Sequence, residues 1–270
     1  MNYFYRMFYI GNFFSRFLFS LFLLLLLVSA PAAHAIVSME SVHLGKPPQG
    51  FTGAFELSID AEYGNTEEVS ASTGLKLQWS EDKNIDFVLA NYVYGESSGV
   101  KNENKAFVHL RHIHQRNNRF AWEVFSQLSN DEFTSLNLRA LIGGGVRLAL
   151  GELTDKRAFY LGLGGFYERE QLDIDNAASN EETEETVRGN TYLVLKYQFN
   201  SHVSLVSSTY YQPAIDKFSD YRAIEDASLV SKLSDDFSLR VGLNIQHDSE
   251  PPPDVEKTDT SINIGMALNF

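Results

Sequence analysis

The chain of 270 residues contains no cysteine. That absence excludes a disulfide framework and thiolate metal sites. It also excludes a lipid-anchored lipoprotein, which needs a cysteine directly after its cleavage site. Positive charge is scarce as well. Lys and Arg number 22 against 35 Asp and Glu, for a formal net charge of −13. Phosphate recognition needs clustered basic residues, so nucleic acid is not an expected partner. Beyond residue 35 there is no apolar run long enough for a membrane helix. A phosphate-cradling glycine loop, a dinucleotide fingerprint and a calcium-binding loop are also missing, and no cofactor is expected.

What the first 35 residues do contain is a leader. Arg6 and Arg16 supply early positive charge, and Phe17 to Val28 is apolar apart from Ser20. Pro31 breaks the run, and Ala33-His34-Ala35 forms a small-x-small cleavage site. This is the layout of a secretory signal peptide over 1–35, cut after Ala35. A spanning anchor needs about 20 apolar residues, more than this run supplies. Residues 36–50 then read as a periplasmic N-terminal segment, and 51–270 as the folded domain.

The domain is built of period-two segments. Ile262, Ile264, Met266, Leu268 and Phe270 share one face, and Ser261, Asn263, Gly265, Ala267 and Asn269 share the other. Phe237 to Ile245 and Phe55 to Tyr63 alternate in the same way. Successive strand side chains point to opposite faces, so each segment has one apolar and one polar wall. A soluble sandwich also fits alternation. Full charges on the polar faces, an apolar face in nearly every segment and a terminal Phe270 favour a membrane barrel instead. In lipid every backbone polar group must be paired, which leaves helices and closed barrels.

The expected fold is therefore all-β: an antiparallel up-and-down transmembrane barrel of about twelve strands. The strands read as 51–63, 69–79, 84–95, 103–114, 119–129, 135–150, 157–169, 187–199, 203–212, 222–233, 237–247 and 258–270. Short links at 80–83, 115–118, 151–156, 200–202 and 234–236 read as periplasmic turns. Longer links at 96–102, 170–186, 213–221 and 248–257 read as outward loops, with 64–68 and 130–134 as short exceptions. An even strand count places both termini in the periplasm. The links 170–186 and 248–257 are acidic. They read as solvated loops, or more sharply as a divalent-cation site shared with lipopolysaccharide phosphates. Trp79, Phe199 and Phe270 fall at strand ends on the lipid parity, where an aromatic belt belongs.

Several stretches carry a family resemblance. They are Ala61-Glu62-Tyr63-Gly64-Asn65-Thr66, then Ser70, Ser72, Gly74, Leu75 and Trp79, the stretch from Tyr92 to Lys101, and Gly143-Gly144-Gly145. Together they resemble the bacterial outer-membrane family called domain of unknown function 481, of the salt-induced outer-membrane protein type. The match is good over 51–170; beyond it only the alternating strands and the terminal Phe agree. The resemblance implies an outer-membrane barrel of unassigned activity and supplies no catalytic residue. Physically, Gly64-Asn65 suits a tight hairpin, Gly95 and Gly99 suit a turn, and the glycine triplet suits close approach to the backbone.

Catalytic chemistry has little foothold. His109, His112 and His114 cluster on one strand, but His109 shares its face with Arg111 while His112 and His114 point the other way. The acids Glu56, Asp60 and Glu62 are expected to meet basic residues across the lumen rather than act as an acid–base pair. The candidate lumen charges are Glu56, Asp60, Lys76, Arg139, Arg147, Lys196 and Arg240, and Phe270 is the candidate assembly signal. The expected role is non-enzymatic: a narrow passive pore or an envelope-stabilising barrel. The alternative is an outer-membrane hydrolase acting on lipid or surface substrate. Expected partners are outer-membrane lipid, lipopolysaccharide, the barrel assembly machinery and periplasmic chaperones.

Overall fold

The computed structural model describes residues 49–62, 68–151, 154, 156–173, 181–253 and 255–270. The leader, most of the segment 36–50 and the Gly64-Asn65 hairpin lie outside the described residues. Twelve strands follow in order: β1 (Gly50–Glu62), β2 (Glu68–Glu81), β3 (Asn84–Ser97), β4 (Val100–Gln115), β5 (Phe120–Asp131), β6 (Leu136–Ala149), β7 (Arg157–Asp173), β8 (Glu181–Gln198), β9 (Val203–Pro213), β10 (Tyr221–Lys232), β11 (Phe237–Asp248) and β12 (Thr258–Asn269). Each is antiparallel to its chain neighbours, and β12 returns to β1 to close the barrel. Both described ends of the chain, at β1 and β12, sit at one rim, called here the terminus end; the other rim is the far end.

The outward parity is apolar, as the alternation requires. Phe55, Leu57 and Ile59 of β1 and Ile262, Ile264, Met266 and Leu268 of β12 are all exposed outward. Aromatic residues gather at two levels. Phe51, Trp79, Trp122, Phe159, Phe199 and Phe270 mark the terminus end, and Tyr92, Tyr94, Tyr167 and Tyr211 the far end. On β7, Phe159 and Tyr167 lie about 26 Å apart along the strand at ~3.3 Å per residue. At a strand tilt of roughly 35–45° that separation spans about 20 Å of height, which fits within an apolar band of about 25 Å.

The far-end links differ from the sequence reading. The acidic stretch 170–186 is not a loop over its whole length. β7 runs on to Asp173 and β8 begins at Glu181, paired throughout. A growing hairpin keeps adding ladder bonds, which offsets the weak strand propensity of its glutamates. Likewise 96–102 is mostly strand, and only Ser98-Gly99 turns, with φ of 53° and 76°. Gly95 is not in that turn. It sits beside a register shift of the β3–β4 ladder, where a Cβ would press on Asn102.

The glycine triplet packs against more glycine. Gly144 pairs with Gly165 and Gly145 with Gly164 across β6 and β7. A Cβ on Gly143 would lie 2.6 Å from the Gly165 carbonyl oxygen and 2.7 Å from the Phe125 ring. The neighbouring Gly162 leaves room for the Tyr192 ring, which lies directly over it from the paired position on β8. The expected close approach is therefore made by side chains and backbone of the barrel wall itself.

Candidate functional site: the lumen

The inward parity divides the lumen into two unlike walls. On β3 to β9 much of the inner face is apolar. Phe87, Leu89, Ile113 and Ala121 form one buried cluster. Ala158, Tyr160, Tyr192, Val194, Val206 and Tyr210 form another. On β10, β11, β12, β1 and β2 the inner face is polar: Ser228, Ser238, Asn244, Asn263, Glu56, Ser58, Ser70, Ser72, Lys76 and Gln78 are all buried there.

Charged side chains join strands that are not neighbours. Glu56 on β1 receives Lys76 at 3.3 Å and Arg240 of β11 at 3.0 Å. Arg240 also lies 3.6 Å from Asp226 and donates to the Ser228 hydroxyl. A second group sits among the aromatics. Glu123 on β5 faces Arg111 at 3.6 Å and Arg147 at 3.4 Å. The Tyr192 hydroxyl donates to Glu123 at 2.6 Å and accepts from Arg147 Nε at 3.0 Å. The Arg111 guanidinium stands 5.4 to 5.8 Å from the rings of Phe87, Phe125 and Tyr192, a cation–π distance.

The third group lies toward the far end. Glu168 of β7 meets Arg139 at 2.6 Å, Arg188 at 2.5 Å and Arg222 at 3.0 Å. Arg222 continues to Glu170 at 2.9 Å and Asp248 at 2.8 Å, and Arg188 reaches Asp220 at 2.8 Å. Guanidinium forks matched to several carboxylates make charge-assisted, directional bonds. This network ties β6, β7, β8, β10 and β11 to the link 214–220. Outside the wall, Lys217 of that link pairs with Glu250, and the hydrogen bond raises the lysine above its ordinary pKa.

Of the candidate lumen charges, Glu56, Lys76, Arg147 and Arg240 are buried inside, and Arg139 is nearly so. Lys196 lies on the inward register of β8, between Val194 and Gln198. The Asp60 side chain lies outside the description, though its backbone pairs with Ser70. The structure brings Glu56, Lys76 and Arg240 together and keeps Arg139 and Arg147 in separate groups. Sequence reasoning passed over Glu123, Glu168, Arg188 and Arg222. It placed Glu170 in a loop, whereas Glu170 is a buried inward residue of β7.

Phe270 is exposed on the outward side, with its ring 6.4 Å from Phe51. His112 and His114 also face outward and flank Trp122. His109 is deeply buried inside. Its Nε2 accepts from Arg111 Nε at 3.3 Å, so Nδ1 carries the proton and donates to Gln127 at 3.1 Å. Neither nitrogen faces a serine hydroxyl. Among the described residues no cluster of three His, Asp or Glu is arranged to hold a metal ion.

At the terminus end the polar wall opens into a cavity of about 570 Å³. Its sides include Gln198, His202, Lys232 and Asn269, and it reaches inward to Glu56, Lys76 and Arg240.

Comparison with solved structures places this barrel among outer-membrane proteins by fold. An outer-membrane channel from Pseudomonas putida F1 superposes with a TM-score of 0.53 at 16% identity, covering 87% of this chain and 100% of the channel. The NanC porin gives a TM-score of 0.48 at 10% identity, covering 80% of this chain and 98% of the porin. The translocator domain of the autotransporter NalP from Neisseria meningitidis gives 0.48 at 8% identity, covering 81% and 87%. No curated protein matches the sequence significantly. A family model described as protein of unknown function, DUF481, matches residues 55–270, and the chain belongs to that family.

Proposed function

We propose that the protein is a narrow passive pore of the outer membrane, with both termini in the periplasm, for small polar solutes. The observation that carries this reading is the continuous polar wall of β10–β12, β1 and β2, which meets the 570 Å³ vestibule at Glu56, Lys76 and Arg240. A barrel whose role was only to pack would have no use for a polar, charged face opposite an aromatic one. Twelve strands enclose more space than the side-chain-filled barrels of eight and less than the open channels of sixteen. Charges of both signs on the inner wall then set ion preference.

Conductance of the refolded 36–270 barrel in planar bilayers tests the proposal. Discrete, reproducible steps are expected. Arg147→Glu and Arg240→Glu reverse one charge each near the aromatic group and the vestibule. Each is expected to shift selectivity toward cations. Unaltered selectivity in a conducting variant counts against that residue as pore lining. A folded but silent wild-type barrel overturns the pore. It would favour an envelope-stabilising role, to which the Glu168 network already lends itself.

A further inference from the structure

The outward face of β2 to β6 carries an ion pair. Trp79, Asp86, His112, Val124 and Gly144 lie side by side across the five strands, one row in from the terminus end. His112 Nδ1 donates to Asp86 Oδ1 at 2.6 Å. The pair is open to the outside: the Asp86 side chain is 57% exposed and that of His112 33%. Toward the far end the next outward rows are Leu77, Val88, Leu110, Ser126 and Ile142, then Leu75, Ala90, Val108, Leu128 and Ala140. Neither row holds a charge. Charges on the lipid face of a barrel are tolerated near the interface and costly toward the midplane, so the pair marks the inner edge of the headgroup level.

A groove of about 510 Å³ leads away from the pair along the outer wall. Its outward lining is Leu77, Val88, Leu110, Val124, Ser126 and Ile142, with Trp79, Asp86 and His112 at its head. Leu110, Val124 and Ile142 are exposed in it. The short side chain of Ser126, between Leu110 and Ile142, makes the depression. The inward Phe87, Arg111 and Phe125 also border it, but the Arg111 charge is turned to Glu123 inside the barrel. At the head Trp79 is exposed, and the Trp122 ring lies 5.4 Å from that of His112.

The pair sets the chemistry of what can bind. One Asp86 oxygen takes the His112 proton, which leaves the other to accept a second donor. With Nδ1–H donating, a neutral His112 ring keeps Nε2 as an acceptor. Two acceptors beside an indole face suit a cation with several N–H groups. A primary ammonium has three such groups and a trimethylammonium has none. An anionic head would meet the Asp86 carboxylate. Glu81 and Lys83 follow at the rim, an acid and a base, so the rim does not reverse that preference.

We propose that this groove is a headgroup-selective site for a phospholipid with a primary-amine head, bound from the leaflet at the terminus end. The ammonium rests on Asp86 and His112, and an acyl chain follows the groove over Ser126. In the orientation proposed above this is the periplasmic leaflet. The site lies on the outer wall and does not depend on a conducting lumen.

The probes are dioleoyl phosphatidylethanolamine, its N-methylated derivatives up to phosphatidylcholine, and dioleoyl phosphatidylglycerol. Each is titrated into the purified protein in detergent, with bound lipid counted by native mass spectrometry. One phosphatidylethanolamine is expected to bind about tenfold more tightly than phosphatidylcholine or phosphatidylglycerol, the difference a charge-assisted hydrogen bond supplies. Affinity is expected to fall stepwise with each methyl group added to the nitrogen, a result that needs no variant. Asp86→Asn, on exposed surface, is expected to bring the preference within about twofold, and His112→Ala to reduce it. Ser126→Phe, which fills the groove, is expected to weaken all the lipids alike. Equal binding of phosphatidylethanolamine and phosphatidylcholine by the unaltered protein overturns the site, as does a preference that survives Asp86→Asn. Binding untouched by Ser126→Phe removes the groove from it. Displacement of the lipid by millimolar ethanolammonium overturns the lipid as occupant in favour of a free amine.

Discussion

At the scale of single residues, Glu168 holds the largest share of the far-end network. Its two carboxylate oxygens serve Arg139, Arg188 and Arg222, and it is 1% exposed. Removing it leaves three guanidinium groups close together with Glu170, Asp220 and Asp248 as remaining partners. Breaking a buried ion pair on one side costs about 3–5 kcal/mol. Glu168→Ala is expected to lower unfolding stability by about that amount, measured by denaturant titration of the barrel in lipid. A loss under about 1 kcal/mol would mean that water replaces the carboxylate freely. The residue was hard to pick out of the sequence. On β1, β2 and β11 the parity is clean, so Glu56, Lys76 and Arg240 were legible. On β5, β7 and β8 the inner face carries Phe125, Phe166, Tyr192 and Val194 among its charges. With apolar groups on both faces the period-two signal fades, and Glu123, Glu168 and Arg188 fade with it.

At the scale of elements, all twelve strands were legible, because outward apolar residues recur at every second position. What was not legible was where hairpins end. Polar, charged residues beyond the membrane look like loop, yet β7 and β8 carry their ladder up to Asp173 and Glu181. The Ser98-Gly99 turn shows the opposite case, a tight turn hidden in an apparently longer link. Two consecutive positive φ values define a mirror-image hairpin turn, which Gly tolerates at its second position. Nothing lies within 4 Å of a Cβ on Gly99, so backbone strain alone opposes a side chain there. Gly99→Val is expected to destabilise the barrel by roughly 1–2 kcal/mol. Its conductance and selectivity should be unchanged, since the turn is remote from the vestibule. A stability equal to that of the parent would show that the hairpin accepts another turn type.

At the scale of the whole molecule, the two-walled lumen links function to orientation. The aromatic wall and the Glu168 network hold β3 to β11 together, and the polar wall runs inward from the vestibule at the terminus end. A solute entering at the vestibule meets Glu56, Lys76 and Arg240 first, so the direction in which the barrel sits decides which face of the membrane those charges screen. An even number of strands puts both described ends on one side, and the orientation proposed above makes that side the periplasm. The absence of cysteine again allows a direct measurement. Ser201→Cys lies in the turn between β8 and β9 at the terminus end, and Lys217→Cys in the link between β9 and β10 at the far end. In intact cells a membrane-impermeant maleimide is expected to label Lys217→Cys and to spare Ser201→Cys until the outer membrane is permeabilised. With that outcome the vestibule faces the periplasm and the Glu168 network lies toward the cell surface. Labelling of Ser201→Cys alone in intact cells would invert the barrel and turn the vestibule toward the cell exterior.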